Sequence, residues 1–398
     1  MSFGYSEGVL NPVIGVLPMS LSPEFLSYFS DVKDPRVSDR NLRHKLEDIF
    51  AIAILAVICG ADNWVEISNF AESKEGWLRE FLELPSGIPS HDTFGRVFAL
   101  LDADAFEQCF TQWAHSLPLL IDGQVKKEII AIDGKTSRGS HNRRKGQHPL
   151  HLVSAWACEQ GLVLGQVSTE EKSNEIEAIP RLLNMIAIEN SIVTIDAMGC
   201  QKAIARHIRE KKADYILTLK DNHPSLSWLV QYAIKTAASK TFEGTPYLRQ
   251  IEKVRGEHGR IETRRYTLLS CDTHLLTRAK WPGLQSIGML EVKRTVNYET
   301  TRSVRYFVTS LSYRQMADFM RGVRNHWNVE INLHWSLDVS FADDLNRTRC
   351  GHAQENLSII KRIALNMLNK ENSTSIGIKA KRKKAGWDNQ YLRKIVAA

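Results

Sequence analysis

Hydrophobic positions along the chain change their period several times. Between about residues 40 and 120 they recur at helical spacing: 43-RHKLEDIFAIAILAVICG-60 ends on Gly, 65-VEISNFAESKEGWLREFL-82 is amphipathic, and 90-SHDTFGRVFALLD-102 opens with Ser, Asp and Thr as capping candidates. A small helical domain is predicted there. The pattern then shortens into β-rich runs separated by turn signals, 128-EIIAID-133, 150-LHLVSAWAC-158 and 162-LVLGQVST-169, which predict an antiparallel meander. A helix over 174-NEIEAIPRLLNMIAIE-189, a buried strand over 191-SIVTIDA-197, a helix over 200-CQKAIARHIREKK-212 and a strand over 214-DYILTLK-220 follow.

This β-α-β-α-β alternation implies parallel pairing, because a crossover helix separates its strands. Joined to a three-stranded meander, it is the layout of a ribonuclease-H-like fold. Strand-like text returns in 247-YLRQIEKV-254, 261-IETRRYTLLS-270, 287-IGMLEVKRTV-296 and 303-SVRYFVTSL-311, read as a β insertion in the α/β domain. Residues from Ser312 to about Asn369 are helical in pattern, and the last segment carries 379-KAKRKKAGW-387, expected to be mobile and basic. The predicted organisation is a helical domain over 1–120, an α/β core over 121–222 and 313–370, a basic β-rich insertion over 223–312, and a basic tail over 371–398.

A chain of 398 residues is long enough for two or three domains with a sizeable core. Its formal charge of +7 and pI near 9.0 favour an anionic partner without separating nucleic acid from a membrane surface. The excess is local: Pro246 to Arg305 holds 12 Lys/Arg against 6 Asp/Glu, and Glu371 to Ala398 holds 7 against 2, so the remainder is slightly acidic. Six scattered cysteines without a C-x-x-C pair, and no secretory signal, point away from disulfides and a zinc knuckle and toward a reducing cytosol. The longest apolar run, 49-IFAIAILAVICGA-61, is too short to span a bilayer and reads as a buried helix. No phosphate-binding Walker loop is present, so ATP is not implied.

Two buried strands end on an aspartate, Asp133 and Asp196. Ligands bind beyond strand ends in open α/β sheets, and two converging carboxylates repel unless a proton or cation lies between them. Oxygen-only ligands favour Mg²⁺ or Mn²⁺. A third acid is expected from 324-RNHWNVEINLHWSLDVSFADD-344, where Glu330, Asp338, Asp343 and Asp344 are candidates. His326, Glu330, His334 and Asp338 form a slowly drifting helical stripe, which is equally consistent with an ordinary polar face; zinc is disfavoured because H-E-x-x-H is absent. After Asp133 comes a basic loop with Lys135, Arg138, Arg143, Arg144 and Lys145, although Asp-Gly after a strand is also ordinary hairpin chemistry. Trp327 and Trp335 could stack on a base, but helix tryptophans are more often core. His258 and Arg260 could contact a nucleic acid or simply cap a hairpin.

The segments 131-AIDGKTSRGS-140, 150-LHLVSAWACEQGLVLGQVSTEEKSNEIEAIPRLL-183, 193-VTIDAMGCQKAIARHI-208, 214-DYILTLKDNHPSL-226, 257-EHGRIETR-264 and 326-HWNVEINLHWSLDVSFADD-344 together resemble bacterial insertion-sequence transposases of the H-repeat-associated type. That group lies within the DDE superfamily, and the resemblance covers roughly residues 30–370. It implies that Asp133, Asp196 and Glu330 are catalytic, metal-binding acids, and that the N-terminal helical domain is the family's associated, DNA-binding domain. The wider branch often places Tyr, Arg and Lys at fixed offsets from its glutamate, where this chain has Val323, His326 and Leu337. Arg324, His326, His334 or Lys361 would have to contact phosphate instead.

A phosphodiester is anionic and hydrolyses very slowly, so two divalent ions about 3.5–4 Å apart, held by three carboxylates, would neutralise charge and position the attacking oxygen. The basic loop and insertion would then track the DNA backbone. The expected function is Mg²⁺- or Mn²⁺-dependent cleavage at element ends and 3′-hydroxyl transfer into target DNA, by a cytoplasmic, nucleoid-associated homodimer on double-stranded DNA with no membrane partner. The alternatives are a nuclease that cuts without joining and an inactive or domesticated DNA-binding derivative.

Overall fold

The computed structural model describes residues 23–36, 42–117, 127–141, 148–169, 174–220, 222–255, 260–271 and 279–397. The helical beginning comprises α1 (Pro23–Ser27), α2 (Leu46–Ile58), α3 (Trp64–Ser73), α4 (Glu75–Leu78), α5 (His91–Leu100) and α6 (Ala103–Ser116). Its start signals are used as the residue types demand. Asn63 accepts from the Glu66 N–H, Ser90 from the Thr93 N–H, and Asp102 from the N–H groups of Asp104 and Ala105. Helix α2 is buried from Asp48 through Ile58, in line with its continuous apolar text. No helix among the described residues is long and apolar enough to cross a membrane.

Nine strands form one mixed sheet: β1 (Ile129–Thr136), β2 (His151–Ala157), β3 (Leu162–Thr169), β4 (Ile192–Ile195), β5 (Asp214–Leu219), β6 (Tyr247–Arg255), β7 (Ile261–Ser270), β8 (Ser286–Val296) and β9 (Glu299–Thr309). Their order is β3-β2-β1-β4-β5-β9-β8-β7-β6. Strand β1 is antiparallel to β2 and parallel to β4, and β4 is parallel to β5, as the meander and crossover patterns predict. The crossovers are α7 (Glu175–Met185) and α8 (Lys202–Glu210), and α9 (Pro224–Ser239) follows β5. Strands β6 to β9 extend this same sheet, because β9 pairs antiparallel with β5.

The C-terminal third holds α10 (Met316–Asn325), a π-helical turn over Val329–His334, α11 (Trp335–Ser340), α12 (Ala353–Lys370), α13 (Ile378–Trp387) and α14 (Asn389–Val396). One apolar core joins α2, α5 and α6 to α11 and α12 through Ile52, Phe98, Phe110, Leu337 and Ile360, which ties the chain's two ends together.

The expectation of a mobile basic tail is overturned. Residues 378–396 are helical, and Lys381 and Arg382 are buried. Lys381 donates to the Leu368 carbonyl, 2.9 Å. Arg382 donates to the carbonyls of Val57 and Ala61 and to the Asp62 carboxylate, and lies 4.1 Å over the Phe341 ring. Helix-terminal carbonyls need donors: Arg382 supplies one at the end of α2, and Lys381 supplies one at the end of α12.

Candidate active site

Asp133 does not end its strand. Strand β1 runs on through Gly134 to Thr136, paired with β2 throughout, so the Asp-Gly pair is not a hairpin turn. Gly134 is required by packing: a Cβ there would lie 2.4 Å from Glu175 Oε1 and 2.6 Å from His151 Nε2. Those two groups form a buried pair at 2.7 Å, with His151 Nδ1 2.8 Å from the Thr136 hydroxyl.

Strand β4 stops at Ile195, whose partner on β1 is Ile132. The next residue on each strand is an acid, so the parallel register brings Asp133 and Asp196 side by side. Asp196 Oδ1 accepts from the Met198 N–H at 2.9 Å and from that of Gly199 at 3.4 Å, which fixes the turn leaving β4. Glu330 enters from the π turn, where the Trp335 N–H reaches back to the Glu330 carbonyl. Extra-wide turns of this kind re-aim side chains and recur at functional sites. The straight helix expected to carry 326–338 is therefore interrupted: α10 ends at Asn325, and the π turn leads into α11.

Burial, then the neighbouring charges of Asp196, Glu330 and Glu175, push the Asp133 carboxyl up to about 7, against a hydrogen bond from the Gly134 N–H. Among the described residues, no three His, Cys, Asp or Glu side chains close around one point. The charges of Asp196 and Glu330 both bear on Asp133, and like charges without a counter-ion repel.

Two imidazoles flank them. His334 Nδ1 lies 3.6 Å from Asp133 Oδ2, and His326 Nδ1 is 3.1 Å from the Thr194 hydroxyl on β4. Burial pushes His326 down to about 4 and His334 down to about 3; nearby Asp196 opposes the first shift, whereas Arg362 and Lys135 reinforce the second. Both rings are neutral at pH 7, so neither supplies the positive charge expected for phosphate contact.

Lys135 also departs from expectation. It is buried, 2.7 Å from Asp338, 3.5 Å from Asp343 and 3.1 Å from Asp344, and it is not a solvated loop cation. Asp343 is closed further by Lys361 at 3.1 Å and the Ser137 hydroxyl at 2.8 Å; despite burial, these cations hold its carboxyl well below the usual range. Lys361 is fully buried in this contact and cannot contact phosphate. Arg138 is exposed, with its side chain 3.7 Å from Asp344. Arg143, Arg144, Lys145 and His258 lie outside the described residues.

Arg260 pairs with Glu262 at 2.7 Å, and Arg324 pairs with Glu252 of β6. The tryptophans are not core: Trp327 is 43% exposed and Trp335 59%, and Arg305 lies 5.3 Å over the Trp327 ring. The pair His151–Glu175 and the buried Arg362, whose Nη2 is 3.3 Å from the Ser154 hydroxyl, were not singled out from sequence. Lys361 and Arg362 interrupting the apolar run 357-LSIIKRIALNML-368 is a signal for buried partners.

Comparison with known proteins decides the family. A model described as "Transposase DDE domain" matches residues 124–367, and one described as "DDE_Tnp_1-associated" matches residues 26–114. The chain belongs to the DDE transposase family. It is 38% identical over 382 residues to YncI of Escherichia coli O157:H7, named as a candidate transposase, covering 94% of each chain. It is 35% identical over 379 residues to YhhI of E. coli K12, named as an H repeat-associated candidate transposase, covering 94% of this chain and 98% of that one. A segment of 54 residues is 44% identical to YbfQ of E. coli K12, named an inactive transposase, covering 14% of this chain and 64% of that one. The resemblance drawn from the motifs thus holds at the level of the family.

Proposed function

We propose that this family member cuts DNA at the ends of its element in a divalent-metal-dependent reaction and joins the freed 3′-hydroxyl to target DNA. The single observation that carries the reading is the parallel register that sets Asp133 beside Asp196, with Glu330 near enough to raise the Asp133 carboxyl. The β3-β2-β1-β4-β5 order, with β2 antiparallel, supports a ribonuclease-H-like core.

Asp133, Asp196 and Glu330 would hold Mg²⁺ or Mn²⁺, since an all-carboxylate set suits hard cations that keep part of their water. When bound, two such ions supply Lewis acidity at the attacking and leaving oxygens. The chain's own residues do the positioning. The Asp196 turn and Gly134 fix the two aspartates, the π turn presents Glu330, and the neutral rings of His326 and His334 crowd the acids without adding charge. Substrates would be double-stranded element ends and target DNA, bound by a homodimer in the cytoplasm at the nucleoid.

Supercoiled plasmid carrying the element's own flanking repeats tests this. Nicking at the repeats with Mg²⁺, followed by joining of pre-cut ends, is expected. Cutting without joining would favour a nuclease, and binding with neither would favour an inactive derivative.

A further inference from the structure

Strands β6 to β9 carry two chemically different faces, and the register assigns each cation to one of them. Directly opposed residues share a face. Tyr266 with Leu290, and Phe307, pack on Phe319 and Met320 of α10. On this face Glu262 pairs with Arg260, Arg264 and Arg294, and Glu252 pairs with Arg324. Arg260, Arg264, Arg294 and Arg324 share these two carboxylates, and Arg305 lies over the Trp327 ring. Asp133 alternates with Ile132 and shares the face of Ile129, which also packs in the α10 cluster, so the acids belong to this same side.

The opposite face continues from Leu269, Ile287 and Val308, which pack with Val230 and Ile234 of α9. Farther out it bears Arg249, Lys253, Arg255, Lys293 and Arg302, all exposed. Its one acid among the described residues, Glu291, pairs with Arg265 at 3.4 Å. Lys253, Thr263, Lys293 and Arg302 are mutually paired across β6, β7, β8 and β9, so they form a single row. At ~4.8 Å between strands the row spans about 14 Å, close to the ~12 Å width of a duplex major groove.

We infer that this outer face is a docking surface for the backbone of duplex DNA, turned away from the acids and so holding a different stretch from the one being cut. The inference rests on the reading that the protein acts on DNA. Cations in an acid-poor row, with no acidic partner among the described residues, match a phosphate backbone, whereas the arginines opposite are partly offset by Glu252 and Glu262.

The test is fluorescence anisotropy of the full chain on a generic duplex without element ends, over a salt series without divalent ion. The triple variant Lys253→Gln/Lys293→Gln/Arg302→Gln should weaken binding and lower the slope of log K against log salt by about 2–3, at ~0.9 for each phosphate left without a cation. The control Arg260→Gln/Arg294→Gln, on the other face, should keep most of the slope, with thermal melts confirming that both fold. A triple variant with the wild-type slope, or a control whose slope falls as far as that of the triple, overturns the assignment of the face. Wild-type protein with no salt-dependent duplex binding overturns the DNA reading itself, and this surface with it.

Discussion

Asp133 has the charges of Asp196 and Glu330 bearing on it and no lysine or arginine partner among the described residues, whereas Asp338, Asp343 and Asp344, a little further along the chain, are closed around Lys135 and Lys361. Burial raises the carboxyls of both Asp133 and Asp343, yet the charges beside them leave the two on opposite sides of the usual value. The Asp133 carboxyl is raised to about 7, and that of Asp343 is driven well below its usual range. A buried carboxylate whose neighbours are carboxylates is poised for an external cation; one enclosed by lysines is structural.

The largest effect expected is on chemistry. Asp196→Asn should reduce Mg²⁺-dependent nicking by more than about 100-fold, since even residues that only support metal ligands cost 10–100-fold. Duplex binding should survive. Nicking at the wild-type rate would remove Asp196 from the reacting group.

Stability should break the comparison the other way. Asp343→Ala leaves Lys361 and Lys135 without their shared buried partner and should cost about 3–5 kcal/mol in urea denaturation. The same measurement on Glu330→Gln should show less than about 1 kcal/mol, because Glu330 is exposed and has no ion pair among the described residues. Equal losses would erase the distinction between the two groups.

The pH dependence sharpens it. A raised Asp133 pKa means that the folded state binds the extra proton, so without divalent ion stability should fall as pH rises from about 4 toward about 7. In Asp133→Asn that decline should shrink, and denaturant midpoints across the range would show it. Gly134→Ala should then cost about 1–3 kcal/mol by overpacking against Glu175 and His151. The smallest effect is expected for Trp335→Ala, within about 0.5 kcal/mol, because the side chain is exposed.

Much of this was legible in the text of the chain. The β-rich runs and the crossover helices are local patterns, and the observed parallel register follows from them, although β1 runs on past Asp133 to Thr136 and the choice of Glu330 among the late acids came from the family resemblance. What escaped depended on distant partners. Asp-Gly reads as a turn until the His151–Glu175 pair explains why only Gly fits beside it. The 381-KRKK-384 run reads as solvated because nothing local reveals that α2 ends with free carbonyls for Arg382. Lys135 likewise reads as a loop cation, since its three acids lie some two hundred residues away. Trp327 and Trp335 followed the burial habit of tryptophan, but they sit on the exposed side of the segment that presents Glu330.

Binding of Mn²⁺ to the full chain, followed by paramagnetic resonance or calorimetry in wild type, Glu330→Gln and Asp338→Asn, separates the two acid groups without depending on any DNA substrate. Wild type and Asp338→Asn should bind the ion comparably, and Glu330→Gln should lose most of the affinity. Loss in Asp338→Asn with binding intact in Glu330→Gln would contradict the assignment and move the metal site to Asp133, Asp196 and Asp338.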